Sequence, residues 1–312
     1  MKKARLILGI LCVISAVGCG YYVQKSRENI DTEGPKLEAA SDTLEVSINA
    51  TEDELTKDVV AEDKKDGNVS DSIIIENITK KVGGNENQFE ITYVGFDKSS
   101  NSGRLKRNLV YTDYTKTHFA LSQELRFPEN QAVSLLDYIT AEDCIDGDVS
   151  PFIIVDGEEN LQQEPSAGIY DCTVSVINSV GDTVQLPLQV EIYEDSYEAR
   201  SFRPYVVLTD YLIYHKKGED LDLRKLIDHV EDQGYCKIDY GEMVSVRNNK
   251  GETEEVTEQI ANGSKENWVN ISQITINSNV DINQEGVYTV VYSYTSADNG
   301  YQGDTRLTVV VE

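Results

Sequence analysis

Carboxylates crowd together at two places in the chain, within nearly the same ten-residue phrase. Residues 61–70 read AEDKKDGNVS and residues 141–150 read AEDCIDGDVS. Asp63 and Asp66 in the first copy, and Asp143, Asp146 and Asp148 in the second, are oxygen donors of the kind a calcium ion takes. An EF-hand loop is excluded. It needs acidic ligands at alternate positions, then Gly and a late Glu, whereas Ile145 and Gly147 fill alternate places here. Tight-turn chemistry accounts for the same residues, because Gly67 and Gly147 take positive φ without strain and short acidic side chains accept hydrogen bonds from nearby amides. Two readings stand at this point: a turn between strands, or a looser calcium site at a domain pole.

No other constellation points to a reaction. A hydrolase needs a nucleophile with a base and an orienting group, or paired carboxylates in a cleft. With 55 acidic residues, carboxylate pairs arise by chance, and no flanking motif singles one out. Cys144 has Asp143 and Asp146 beside it, the opposite of the electropositive setting that activates a thiol. The cysteines lack CxxC spacing and His118, His215 and His229 are scattered, so there is no zinc pattern. The expectation is a non-catalytic protein without an obligatory disulfide, and with no cofactor other than the calcium of the second reading.

The acidic phrases belong to a larger frame. Eighty residues separate the two copies, and a comparable strand pattern follows each, which is the mark of tandem modules. Module one (35–113) opens after Pro35. Thr51-Glu52-Asp53-Glu54 forms a capping box before the phrase, and apolar residues alternate with polar ones from Phe89 to Tyr93. Module two (114–195) repeats the order, with Gly168–Ile177 as one strand. Its last strand alternates at Val184, Leu186, Leu188, Val190 and Ile192, and Pro187 within it must face an unpaired edge or a bulge. Module three (203–312) starts after Pro204 and carries a helical segment at Asp220–His229. Val230-Glu231-Asp232 stands where AED stood, and an insertion covers about 237–268. Trp268, the only tryptophan, follows the Asn- and Glu-rich stretch 247–267. It either leads a core strand running from Val269 to Ile276 or presents an aromatic face to a sugar or protein.

Ahead of the modules, Met1–Arg5 is basic and Leu6–Val23 is an uncharged run of eighteen residues, at the lower limit for a membrane-spanning helix. Segment 1–23 reads as a membrane anchor with its basic end inside. The alternative is a lipoprotein signal in which Cys19, in Ala16-Val17-Gly18-Cys19, carries the lipid. Residues 24–34 read as a linker. The net charge of −27 repels nucleic acid and anionic lipid, and under either reading the N-terminal segment is the membrane contact and the acidic bulk of the chain faces outside the cell.

Short alternating strands with turn signals between them imply an all-β protein: three tandem β-sandwich domains after a hydrophobic segment. The frame of a leading Pro, AEDxxDG[ND]VS, a GxYxVxY-like strand, a loop with Asp97 and Gly103 and a final alternating strand resembles bacterial immunoglobulin-like surface domains. More narrowly it is similar to those of Gram-positive surface proteins and of one class of pesticidal crystal proteins. The resemblance implies an extracellular spacer or adhesion stalk. The alternative is a surface protein whose third domain binds a cell-wall glycan or another surface protein.

Overall fold

The computed structural model describes residues 15–22, 24, 31–247, 250–261 and 267–312. Among them the chain forms two compact units, divided between Thr115 and Lys116. The first unit holds one sandwich and the second holds two, so the fold is all-β with immunoglobulin-like domains in tandem.

In domain 1 the strands are β1 (Lys36–Ala39), β2 (Thr43–Val46), β3 (Val59–Asp63), β4 (Gly67–Asn68), β5 (Ile74–Lys80), β6 (Gln88–Phe96) and β7 (Ser102–Tyr111). They make two sheets, β1-β3-β4 and β2-β7-β6-β5. The chain crosses between sheets after β1: β1 lies antiparallel to β3, and β2 lies parallel to β7. Period-two alternation then buries one side of each long strand, with Phe89, Ile91, Tyr93 and Leu109 fully enclosed. Domain 2 repeats this with β8 (His118–Leu121), β9 (Arg126–Pro128), β10 (Ile139–Asp143), β11 (Gly147–Asp148), β12 (Ile154–Asp156), β13 (Gly168–Ile177) and β14 (Thr183–Tyr193), in sheets β11-β10-β8 and β12-β13-β14-β9. Pro187 pairs with Thr173 in the β13–β14 ladder, while β9 reaches only Glu191–Tyr193. The other edge of β14 is therefore unpaired at Pro187, and its missing N–H leaves no gap in a ladder there.

Domain 3 contains β15 (Tyr205–Leu208), β16 (Leu212–His215), β17 (Ile227–Glu231), β18 (Tyr235–Asp239), β19 (Met243–Arg247), β20 (Thr253–Thr257), β21 (Asn267–Asn270), β22 (Ile274–Ser278), β23 (Gly286–Thr295) and β24 (Gln302–Val311). Its sheets are β15-β17-β18-β21 and β16-β24-β23-β22, with β19 and β20 as a separate hairpin. Two sequence expectations are corrected here. The helical segment shrinks to a 3-10 turn at Leu223–Leu226 capped by Asp222, because Ile227 and Val230 pack inward from a strand. The expected strand from Val269 to Ile276 is two strands, broken where the Asn270 and Gln273 side chains form a capping box.

Local chemistry elsewhere follows the sequence closely. Thr51 and Glu54 make the reciprocal capping box at the start of the short helix Glu52–Leu55. That helix ends under Tyr93, whose buried hydroxyl donates to the Leu55 carbonyl at 2.7 Å. Tyr292 does the same for Leu223 in domain 3, at 2.8 Å. Burial raises both phenols above their ordinary range, so each remains a donor at any physiological pH. Tyr93→Phe leaves a buried carbonyl without that donor and is expected to lower the stability of domain 1 by about 1–2 kcal/mol in urea unfolding. An unchanged midpoint would show that the hydroxyl contributes nothing. The leading prolines also have a partner. A methyl group at Gly103 would fall on the Pro35 carbonyl oxygen, and one at Gly303 on that of Pro204. The first strand can lie this close to the last only over glycine. Domain 2 has Thr117 and Val184 at the matching places.

Candidate functional site

Both copies of the acidic phrase begin as strand, turn at Gly67 or Gly147 with φ near +70°, and pair back on themselves. Asp63 opposes Gly67, and Asp143 opposes Gly147. Gly is required at the turn because only it takes this φ without a Cβ penalty. In each copy the first Asp points inward, and its Oδ1 accepts two backbone amides: Lys65 and Asp66 to Asp63 at 2.7 and 2.9 Å, Ile145 and Asp146 to Asp143 at 2.8 and 3.1 Å. These bonds hold the Asp63 carboxyl below the usual carboxylate range. Asp143 is also held low, although its burial works against this, by the Thr117 hydroxyl, the two amides and Asn178.

The two copies differ at the other oxygen. Asp143 Oδ2 takes the Thr117 hydroxyl at 2.6 Å and the Asn178 amide at 3.1 Å. Asp146 is occupied as well, by the Ser179 amide and hydroxyl, both at 2.6 Å, and Asp148 caps the Ser150 amide at 3.0 Å. In domain 1 the matching places hold Pro35, Asp97 and Lys98, so the neutral donors are gone. Instead Asp31, from the stretch read as linker, joins the turn, and Asp31, Asp63 and Asp66 each bring one oxygen within 4.8 Å of the others. Sequence reasoning did not find Asp31, which lies more than thirty residues before its neighbours in a stretch without apolar period.

Trp268 sits in β21, partly exposed, with the Lys237 ammonium 5.6 Å from its ring centroid. It stands outside the core cluster of domain 3, in which its neighbour Val269 is buried. Most of the hydrophobic run Leu6–Val23 lies outside the described residues. Residues 15–22 are helical, and Cys19 there is an exposed free thiol. No helix among the described residues is long and apolar enough to cross a membrane. Cys172 is enclosed in the core of domain 2, in register with Ile91 and Val290, and its thiol is pushed up to about 11 by burial and then by Glu158, Glu159 and Asp171. It packs as a small hydrophobe.

A second cluster lies where domains 2 and 3 meet. Glu191, 7% exposed, is approached by Arg126 at 3.5 Å, Arg203 at 3.4 Å and Arg306 at 2.9 Å. The Arg126 guanidinium lies between the rings of Tyr193 and Tyr205, at 4.3 and 3.9 Å from their centroids, and donates to the Tyr205 hydroxyl at 2.6 Å. Nearby, Tyr214 stacks on His118 at 3.8 Å, and its hydroxyl accepts the Phe119 amide at 2.8 Å. Leu212 and Val310 of domain 3 pack against the core of domain 2.

No protein-family model matches the chain, and no curated protein does. Solved structures similar to it include the M60 catalytic domain with the CBM51-1 and CBM51-2 domains from Clostridium perfringens ZmpB, at 15% identity and TM-score 0.21, over 89% of this chain and 30% of that one. Mouse cadherin-23 EC22-24 is similar at 15% identity and TM-score 0.21, over 90% of this chain and 99% of that one. Human CDH23 EC21-23 stands at 11% and 0.20, over 89% of this chain and 100% of that one. The chain thus spans under a third of the clostridial structure, and at these scores the likeness says nothing about ligand or activity.

Proposed function

We propose that the chain is a non-catalytic spacer or adhesion stalk, held to a bacterial envelope by its N-terminal segment and displaying immunoglobulin-like domains outside the cell. The observation that carries this reading is the junction of domains 2 and 3. Four charged side chains, two aromatic rings around Arg126 and the packing of Leu212 and Val310 on the core of domain 2 lock one sandwich to the next. A spacer needs such a joint, because a flexible one would let its far end fold back. The strong negative charge supports the same reading by keeping copies apart on a crowded surface.

The reading is tested by displaying the chain on a bacterial surface with an epitope at its C-terminus. Deleting 116–312 is expected to bury the epitope beneath surface polysaccharide, and replacing those residues with an unrelated rigid pair of sandwiches of equal length is expected to restore antibody access. Unchanged access after the deletion, or no rescue by the replacement, rejects a spacer role. The second reading, recognition of a glycan or surface protein by domain 3, is favoured by the partly exposed Trp268 beside the β19–β20 insertion. It expects saturable binding on a glycan or matrix-protein array that is lost when 247–267 are removed.

A further inference from the structure

The acidic turn of domain 1 differs from its twin in domain 2 by an added carboxylate with one oxygen left without a donor among the described residues. The Asp31 side chain is 9% exposed, and its Oδ2 is sealed from water without a hydrogen-bond partner among the described residues. A buried carboxylate oxygen without a donor costs several kcal/mol of lost solvation, by order of magnitude, and proteins rarely leave one so. The segment is nevertheless held in place: the Asn101 side-chain amide donates to the Asp31 backbone carbonyl at 3.1 Å, and the Glu33 amide to its Oδ1 at 3.3 Å. Asp31 therefore enters the cluster as part of an ordered turn.

The oxygens around it have also been left available. Both amide bonds to Asp63 go to Oδ1, and the hydroxyl and carboxamide that occupy Oδ2 of Asp143 are replaced by Pro35, which has no donor, and by Asp97, whose carboxylate is engaged with Asn101. Asp66 takes the Lys98 amide on Oδ2 at 2.9 Å. Two ammonium groups stand at the rim, Lys65 at 3.7 Å from Asp31 Oδ1 and Lys98 at 3.8 Å from Asp66 Oδ1. Both lie beyond hydrogen-bond distance on side chains 47% and 79% exposed, so they soften the field without donating and can swing into solvent. Three carboxylates converging within 4.8 Å, one of them with a sealed oxygen that no donor reaches among the described residues, make a hard-oxygen site.

We propose that Asp31, Asp63 and Asp66 bind one divalent cation of the calcium type, with water completing the shell, and that the ion clamps the chain entering domain 1 onto its acidic turn. Domain 2 has no equivalent site, because donors occupy Asp143 and Asp146. The inference stands apart from the spacer reading, whose supporting junction lies in the other compact unit.

Calorimetric titration of the full chain in detergent with calcium chloride is expected to show one site with a Kd of roughly 0.1–1 mM, the range of extracellular calcium modules. Magnesium, which demands a tighter octahedron and dehydrates reluctantly, is expected to bind at least about tenfold more weakly. Asp31→Asn is expected to weaken calcium at least about tenfold without lowering the melting point in chelator, which it is expected to hold or raise, because a neutral amide relieves the cost of the unpaired carboxylate oxygen. Asp146→Asn is expected to leave the affinity as it was. No heat of binding up to several millimolar calcium, an unchanged affinity in Asp31→Asn, or loss in Asp146→Asn instead would each overturn the site.

Discussion

Glu191→Ala is expected to destabilise the second compact unit by about 3–5 kcal/mol and to split its unfolding into two transitions, one for each sandwich. The carboxylate is buried, and the arginines around it come from two domains: Arg126 from β9, Arg203 from the segment joining domains 2 and 3, and Arg306 from β24. Alanine leaves three guanidiniums facing one another in a water-poor junction with Glu124, a carboxyl that burial disfavours as the anion, as the remaining acidic neighbour, and that penalty, more than the lost attraction, sets the size of the effect. Arg126 has least freedom to escape, being fixed between Tyr193 and Tyr205. Arg203, joined to the Gln302 carbonyl at 3.1 Å, sits nearer solvent and can turn outward, which keeps the loss at the lower end of the range. Glu191→Gln retains the shape and part of the hydrogen bonding, so a smaller loss is expected. Calorimetry of residues 116–312 checks the result. A single transition within 1 kcal/mol of the wild type, by order of magnitude, would mean that the cluster does not couple the domains.

The sandwiches were legible in the sequence because their strands bury one face. Alternation from Phe89 to Tyr93 and from Leu186 to Ile192 matches enclosed side chains, and Gly168–Ile177 is a strand over the expected range. The same rule hid the junction. In β14, Val190 and Ile192 point to the core and Glu191 points away, which alternation reads as a solvent-facing position. Domain 3 covers that face instead, and nothing in one strand's pattern reveals what a later domain will cover. The acidic turn was recognised through its repetition, and the difference between its copies was visible only as substitutions whose partners were unknown: Pro35 for Thr117, Asp97 for Asn178, Lys98 for Ser179. Asp31 had no pattern at all. In domain 3, propensity favoured a helix at Asp220–His229, but the pairing of β17 with β15 overrode it from Ile227 onward.

Between pH 5 and 7 the junction of domains 2 and 3 is expected to weaken, and Glu124→Gln is expected to abolish that dependence. Glu124 lines a cavity of about 10 Å³ together with Glu191, Tyr211 and Arg306, space for about one water. Burial pushes its carboxyl up to about 7, and Glu191 adds to the rise; the Arg306 backbone amide, donating at 3.2 Å, and the Arg126 and Arg306 guanidiniums act in the opposite direction. In the unfolded chain the same group titrates at its ordinary 4.5. The folded state therefore holds a proton more tightly than the unfolded one, and the slope of unfolding free energy against pH is negative in this interval. Below about pH 4.5 the group is neutral in both states and costs nothing. As pH rises through 7 the folded junction must carry the charge, and stability falls by on the order of 3 kcal/mol in total, the linkage value of the shift. Asp143 acts with the opposite sign and lower on the scale, since its depressed carboxyl stabilises the fold above the ordinary aspartate range and loses that contribution only in acid. The two effects separate in a series of urea titrations from pH 4 to 8. Wild type is expected to be firmest near pH 5, and Glu124→Gln to match it there while exceeding it at pH 8. Parallel curves for the two proteins across the series would show that the carboxyl ionises without cost and that the junction does not sense pH.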